Sequence, residues 1–305
     1  VVTRHARPTS VRAAIRTVLP VPRTWWPGKK AGRLAWMIGV TGTQRVGGEP
    51  MADAPAALIR ANSVLPARRE PVRLQTADGF SLVGELALPA DVDPVATIVM
   101  VHPLPTHGGM MDSHLLRKAS WRLPALADIA VLRFNTRGTT SASGTSEGEF
   151  DGGQAEGLDL AAAVDFVAER ALPVPWLVGW SFGTDVILKH PNVGPVVGAI
   201  LISPPLRFSL ESDLEAWAET GRPLVALIPE LDDYLRPAEA AQRFTAIPAA
   251  QLLTGSGAKH LWVGEPSVQF VLNEIVRAVN PRYFEQHPVG LPDEWDGPME
   301  RWTDL

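Results

Sequence analysis

The sequence predicts an α/β domain: a mostly parallel central sheet of about eight strands, helices on both faces and no large cap. Three observations carry this. Short apolar runs such as Val95–Val101 read as strands buried on both faces of a parallel sheet. They alternate with amphipathic stretches of helical period, among them Gln154–Arg170 and Gly264–Val279, as a doubly wound sheet requires. Between one strand and one helix, Gly179-Trp180-Ser181-Phe182-Gly183 forms a G-x-S-x-G turn. Such a turn holds its serine in a strained conformation at the tip of a sheet, with glycines where a β-carbon would collide with its neighbours. Ser181 is therefore the candidate nucleophile.

Composition narrows the chemistry. With 305 residues, 46% of them hydrophobic, the chain suits one large α/β domain or two smaller ones. The absence of cysteine excludes disulfides, thiolate metal sites and a cysteine nucleophile. No apolar run approaches the length of a membrane span, the longest candidate being Leu34–Val40, so a cytoplasmic protein is expected. Charge is uneven: residues 1–50 hold nine Lys/Arg and one acid, Glu49, a formal +8 against −5 for the whole chain. This stretch reads as a transit peptide, a nucleic-acid-binding arm or sequence upstream of a true start at Met51; the last reading is favoured and disorder is expected. Three segments follow: a basic extension over 1–69, a folded domain over 70–281 and an acidic, Pro-rich tail over 282–305.

In chain order, Pro71–Thr76 and Ser81–Leu88 alternate apolar and polar residues around the turn Ala77-Asp78-Gly79, an antiparallel hairpin. The buried strand Val95–Val101 ends in His102-Pro103-Leu104-Pro105-Thr106-His107-Gly108-Gly109, read as a rigid loop that no helix enters. Ser113–Leu123 is a helix candidate, Ile129–Phe134 a strand and Gln154–Arg170 a helix packing through Leu158, Ala161, Ala162, Val164, Phe166 and Val167. Val174–Val178 is the strand before the serine turn and Thr184–Lys189 the helix after it.

Val196–Ile202 is another buried strand, ended by Ser203-Pro204-Pro205. Before the next strand, Leu224–Ile228, there is room only for a short acidic helix around Leu210–Glu219, so a small or open pocket is expected. Pro229-Glu230-Leu231-Asp232-Asp233-Tyr234 then offers an acid, Asp232 or Asp233, to orient a catalytic histidine. Helix Pro237–Phe244 and strand Ala249–Leu253 lead to Thr254-Gly255-Ser256-Gly257-Ala258-Lys259-His260. A histidine in a Gly-rich loop after the last strand can reach back to the serine, which makes His260 the candidate base. The final helix is Gly264–Val279; Pro281 onward reads as a tail laid on the surface or disordered.

Taken together, His102-Pro103, Gly108-Gly109 and Asp112, then Arg133-Phe134-Asn135-Thr136-Arg137-Gly138, then Ser146-Glu147-Gly148-Glu149-Phe150-Asp151, then the serine turn, resemble the compact bacterial α/β-hydrolases related to dienelactone hydrolases and short-chain esterases. The resemblance covers roughly Pro71–Val279. It implies an α/β-hydrolase fold and a serine nucleophile, and it places Asp232 at the family acid. The order Ser181, Asp232, His260 is the order of that fold. The resemblance further implies that the loop after the third strand supplies one backbone N–H to an oxyanion, here that of Leu104, and that Phe182, after the nucleophile, supplies the other. Two departures stand out: relatives often carry a second histidine where Leu104 sits, and Thr139–Thr145 replaces a tighter turn after Arg137-Gly138.

Other chemistries lack their motifs. No G-x-G-x-x-G follows a strand and no G-x-x-x-x-G-K-[ST] exists; His102 and His107 lack a zinc geometry, and Met110 and Met111 read as pocket or core filler. The acidic remainder of the chain speaks against nucleic acid. The expectation is a cofactor-free serine hydrolase acting on a small-molecule ester, with no nucleic-acid or membrane partner. An acyltransferase, a peptidase or a non-catalytic binding protein on the same fold are the alternatives.

Overall fold

Eight strands form the central sheet: β1 (Arg68–Gln75), β2 (Ser81–Leu88), β3 (Ala96–Val101), β4 (Ile129–Phe134), β5 (Trp176–Trp180), β6 (Ala199–Ile202), β7 (Leu224–Pro229) and β8 (Gln251–Gly255). The computed structural model describes residues 56–301 and residue 303, so the expectations for residues 1–55 lie outside the described residues. The sheet order is β8-β7-β6-β5-β3-β4-β2-β1. From β4 to β8 every pairing is parallel, whereas β2 lies antiparallel to both β1 and β4. The central strands β3, β4, β5, β6 and β7 are buried along their whole length, which is why they read as unbroken apolar runs.

Two apolar layers flank the sheet. On one face α2 (Glu156–Glu169) and α3 (Phe182–Lys189) bury Leu160, Val164, Val186 and Ile187 against Val99, Val101 and Leu201. On the other, α1 (His114–Ala127) and α6 (Glu265–Val279) bury Leu116, Leu123, Leu272 and Ile275 against Ile98, Val178 and Ile200. Alternate residues of each strand serve opposite layers, as the pleat dictates. Between β6 and β7 lies only α4 (Glu211–Glu219), so no large cap stands there. Helix α5 (Pro237–Arg243) joins β7 to β8 through a 3₁₀ turn, Phe244–Ala246.

Three local expectations change. Helix α1 runs on to Ala127, through Pro124, instead of ending at Leu123. Proline removes the N–H that would bond the carbonyl of Ser120, one turn back. That carbonyl instead accepts Arg69 Nη1 at 2.9 Å, so the helix continues with no buried acceptor left unpaired. In the loop after β3, Pro105–His107 forms a 3₁₀ turn with proline at its start, where a missing N–H costs nothing. The insertion after Gly138 folds as a miniature hairpin pairing Thr140 with Thr145 and Ser141 with Gly144.

The first and last described segments meet near α1. Ala57–Leu58 pairs with Glu294–Trp295 and Ser63–Val64 with Glu300–Arg301, and Val64 and Leu65 are buried ahead of Glu70. Beyond α6 the chain forms the short α7 (Tyr283–Gln286) and lies on α6, where Leu291 O accepts from Gln269 Nε2 and Leu291 N–H donates to Asn273 Oδ1.

One buried ion pair ties the segment after β4 to α2. Arg137 donates to Asp159 through Nε and Nη2, at 3.0 and 2.7 Å, and its backbone N–H donates to the same carboxylate at 2.8 Å. Asp159 is 0% exposed. Arg137→Met should therefore destabilise the protein by about 3–5 kcal/mol, because an uncompensated carboxylate stays in the core. Urea unfolding checks this, and Arg137→Met with Asp159→Leu together should restore much of the loss.

Candidate active site

Ser181 stands where β5 turns into α3, with φ 52° and ψ −119°. A β-carbon makes this left-handed region costly. Ser181 N–H donates to Ile202 O at 2.9 Å, and its own carbonyl accepts from the N–H and hydroxyl of Thr184 at 2.8 and 2.7 Å. The turn is closed tightly against the sheet: a β-carbon on Gly183 would lie 2.2 Å from the carbonyl oxygen of Val101 on β3. Thus glycine at 183 is a packing requirement.

His260 comes to this serine from the loop beyond β8. Its Nε2 lies 2.9 Å from Ser181 Oγ and its Nδ1 lies 3.0 and 3.1 Å from the two carboxylate oxygens of Asp232. A carboxylate only accepts, so Nδ1 carries the hydrogen and Nε2 presents its lone pair to the serine hydroxyl. Asp232 is 2% exposed and held by the N–H groups of Tyr234 and Leu235 at 2.7 and 3.4 Å. Asp233 is exposed, and Glu230 turns instead to Ser256 and the Gly257 N–H, which hold its carboxyl below the usual range. The three sequence candidates Ser181, Asp232 and His260 therefore meet in one hydrogen-bonded chain. The ring of Tyr234 leans on His260, with centroids 4.5 Å apart.

Leu104 and Phe182 border the same pocket as Ser181. Phe182 is the first residue of α3 and Leu104 precedes the 3₁₀ turn, so neither N–H has a carbonyl to meet in its own element. The peptide joining Pro103 to Leu104 is fixed from two sides. A β-carbon on Gly109 would come within 2.0 Å of Pro103 O, so the loop doubles back as only glycine permits. His102, 0% exposed, bonds that same oxygen through Nδ1 at 2.6 Å. Its Nε2 accepts the Thr136 N–H at 3.1 Å, which settles the tautomer, because a backbone N–H only donates.

Burial pushes the His102 imidazole down to about 4. An unfolded histidine takes up its proton near 6.5. Between these values the unfolded chain binds a proton that the native chain does not, so stability falls as pH drops through 6.5 and the loss is complete below about 4. His102 alone should contribute a loss on the order of 3 kcal/mol. Urea unfolding at pH 7 and pH 4.5 measures it, and His102→Asn should flatten the difference.

The motif Arg133–Gly138 brings no side chain to the pocket but holds its supports. Arg133 pairs with Glu85 and Asp112, and these acids keep its guanidinium protonated above its ordinary value despite burial. Asn135 accepts the N–H of Met111 at 2.9 Å and Thr136 meets His102. Met111 itself is fully buried.

The pocket beside Ser181 holds about 150 Å³ and opens to solvent between loops. Its walls also include Pro205, Arg207, Phe208, Tyr234, Leu261 and His107. Sequence reading noted Ser203-Pro204-Pro205 only as a strand end and missed Arg207 and Phe208. Their one signal was position, just past the carboxyl end of a parallel strand, where open α/β sheets place ligands. Asp185, fully buried in α3, orders this wall by accepting the Phe208 and Ser209 N–H groups and the Ser209 hydroxyl, at 3.3, 3.0 and 2.6 Å. Desolvation raises its carboxyl above the ordinary range.

The architecture recurs among solved structures. A lidless α/β serine hydrolase from Xanthomonas campestris, XC6422, superposes with a TM-score of 0.56 at 23% identity, covering 76% of this chain and 99% of that one. An α/β serine hydrolase homologue from Coxiella burnetii gives 0.57 at 23% identity, over 68% and 96% of the two chains. The Pyrococcus furiosus esterase Pf2001 gives 0.57 at 18% identity, over 76% and 94%. This chain has the α/β-hydrolase fold.

In this fold Ser181 follows β5, Asp232 follows β7 and His260 follows β8, so three loops at the carboxyl ends of parallel strands bring the three side chains together. No family model matches the chain. An uncharacterized Rickettsia prowazekii protein, RP471, is 30% identical over 120 residues, which are 37% of this chain and 47% of that one. Among the described residues, no cluster of His, Asp and Glu could hold a metal ion, and no helix is long and apolar enough to cross a membrane.

Proposed function

We propose that the protein is a serine hydrolase that cleaves small esters through Ser181, His260 and Asp232. The observation that carries this reading is the chain Ser181 Oγ to His260 Nε2 (2.9 Å) and His260 Nδ1 to Asp232 (3.0 Å), anchored on a strained turn. A hydroxyl whose proton is already directed at an imidazole lone pair is set for general-base activation. The fold likeness to proteins described as a lidless serine hydrolase and an esterase supports the same class.

In the proposed reaction His260 takes the proton of Ser181 as Oγ attacks the ester carbonyl, whose π electrons move onto the oxygen. The N–H groups of Leu104 and Phe182 bind that oxyanion, each contributing about 10²- to 10³-fold in rate. Collapse of the tetrahedral intermediate expels the alkoxide, which His260 protonates. Water then attacks the acyl-enzyme with His260 as base, releasing the acid and restoring Ser181. No step calls for a cofactor. The small pocket and the missing cap favour short acyl groups over long lipid chains.

The test is labelling of the full-length protein by a fluorophosphonate, with hydrolysis of p-nitrophenyl acetate measured alongside. Labelling with turnover is the expected result. A folded protein that neither reacts nor turns over would overturn the reading in favour of a binding protein on this fold. Labelling without ester turnover would turn attention to amides or to acyl transfer.

A further inference from the structure

The loop that carries His260 is held in the core by Ala258 and Trp262, two residues to either side of it. Its neighbours Lys259, Leu261 and Val263 are exposed, yet the ring must keep one nitrogen on Ser181 and the other on Asp232. At His260 itself the backbone carbonyl is engaged by a buried polar chain. The carbonyl of His260 accepts the Ser203 hydroxyl at 3.0 Å and the Trp180 indole N–H at 3.3 Å. Ser203 Oγ in turn accepts the Trp262 indole N–H at 2.7 Å.

The direction of this chain is unambiguous. Indole N–H groups only donate, so Ser203 Oγ is the acceptor toward Trp262 and its own hydrogen is free for the His260 carbonyl. Ser203 is 1% exposed, Trp180 3% and Trp262 0%, so these bonds operate out of water, where an unmet partner is costly. Both Ser203 and Trp262 take left-handed backbone conformations, with φ 49° and 50°. For residues with a side chain this is strain that the surroundings must impose, and such strain gathers at functional sites. Ser203 immediately follows β6 and Trp180 immediately precedes Ser181. The chain therefore ties the frame of the nucleophile to the loop of the base, independently of the bond between Ser181 and His260.

We infer that Ser203 is a positioning residue for the base: its hydroxyl, oriented by Trp262, fixes the His260 carbonyl and with it the distance from imidazole to Ser181. The inference rests on the hydrolase reading. Displacing a reacting group by about 1 Å from outside the chemistry lowers rate about 10²-fold. Ser203→Ala should accordingly lower kcat and the fluorophosphonate labelling rate about 10- to 100-fold, with KM for p-nitrophenyl acetate changed by less than about threefold.

Three comparisons separate positioning from plain stability. Ser203→Gly also lacks the hydroxyl but relieves the left-handed strain, so it should resist urea better than Ser203→Ala and lose as much rate. In a His260→Ala background, Ser203→Ala should leave the residual labelling rate unchanged, because both act through one imidazole. Ser203→Ala at the wild-type rate, or a loss that persists without His260, would overturn the inference while leaving the hydrolase reading intact. A wild type that no fluorophosphonate labels would overturn both.

Discussion

Ser181→Ala is expected to abolish fluorophosphonate labelling and to lower kcat toward p-nitrophenyl acetate by at least about 10⁴-fold. Only Oγ is removed, and with it the single atom placed 2.9 Å from His260 Nε2. The N–H of residue 181 still reaches Ile202 O and its carbonyl still serves Thr184, so the turn and the sheet persist. Residual acceleration comes from binding and from backbone donors, which alanine leaves in place. Stopped turnover measurements together with circular dichroism of wild type and variant decide the matter. A well-folded alanine variant that still hydrolyses the ester at the wild-type rate would assign the nucleophile elsewhere.

Asp232→Asn is the second large expected effect, a loss of about 10⁴-fold in kcat with little change in fold. The carboxylate obliges His260 Nδ1 to be the donor. An amide in its place can offer an N–H to Nδ1, and the ring then carries its hydrogen on Nε2, facing the hydroxyl it should deprotonate. The loss thus comes from the tautomer as well as from a missing charge. Asp233→Asn, on an exposed neighbour, should leave kcat/KM within about twofold. Measuring both variants on one substrate gives a direct contrast, and equal losses would contradict the assignment of Asp232.

The parts of this protein that were legible in its sequence are those where one local rule acts without competition. Strands β3, β4 and β7 are buried on both faces, so their apolar runs mark them almost to the residue. The serine turn needs glycine at 183 for contact with Val101, which leaves a visible pattern. Asp232 was separable from Asp233 by family likeness alone, because two adjacent acids after a strand carry no local signal of which one turns inward.

Where long-range partners decide, local reading fell short. Helix α1 passes Pro124 because Arg69, far away in sequence, takes the carbonyl that proline cannot bond. The paired two-residue strands Ala57–Leu58 and Glu294–Trp295 are too short for any periodicity to show. Likewise Ser203 reads as a strand-ending residue, and its bonds to His260 and Trp262 exist only once β6 and the last loop are adjacent. His102, in a loop rich in proline and glycine, gives no hint in sequence that it is wholly buried and neutral.

The backbone angles of Ser181 set two selective demands against each other. At φ 52° and ψ −119° the most comfortable residue is glycine, and a side chain there costs about 1–3 kcal/mol. A population screened for heat resistance alone would drift toward glycine at this position and lose the hydroxyl that the proposed reaction uses. The same change is open to any lineage in which the proposed reaction has lost its use, since it removes the proposed nucleophile and relaxes the turn together. Position 181 is thus where disuse would be written first.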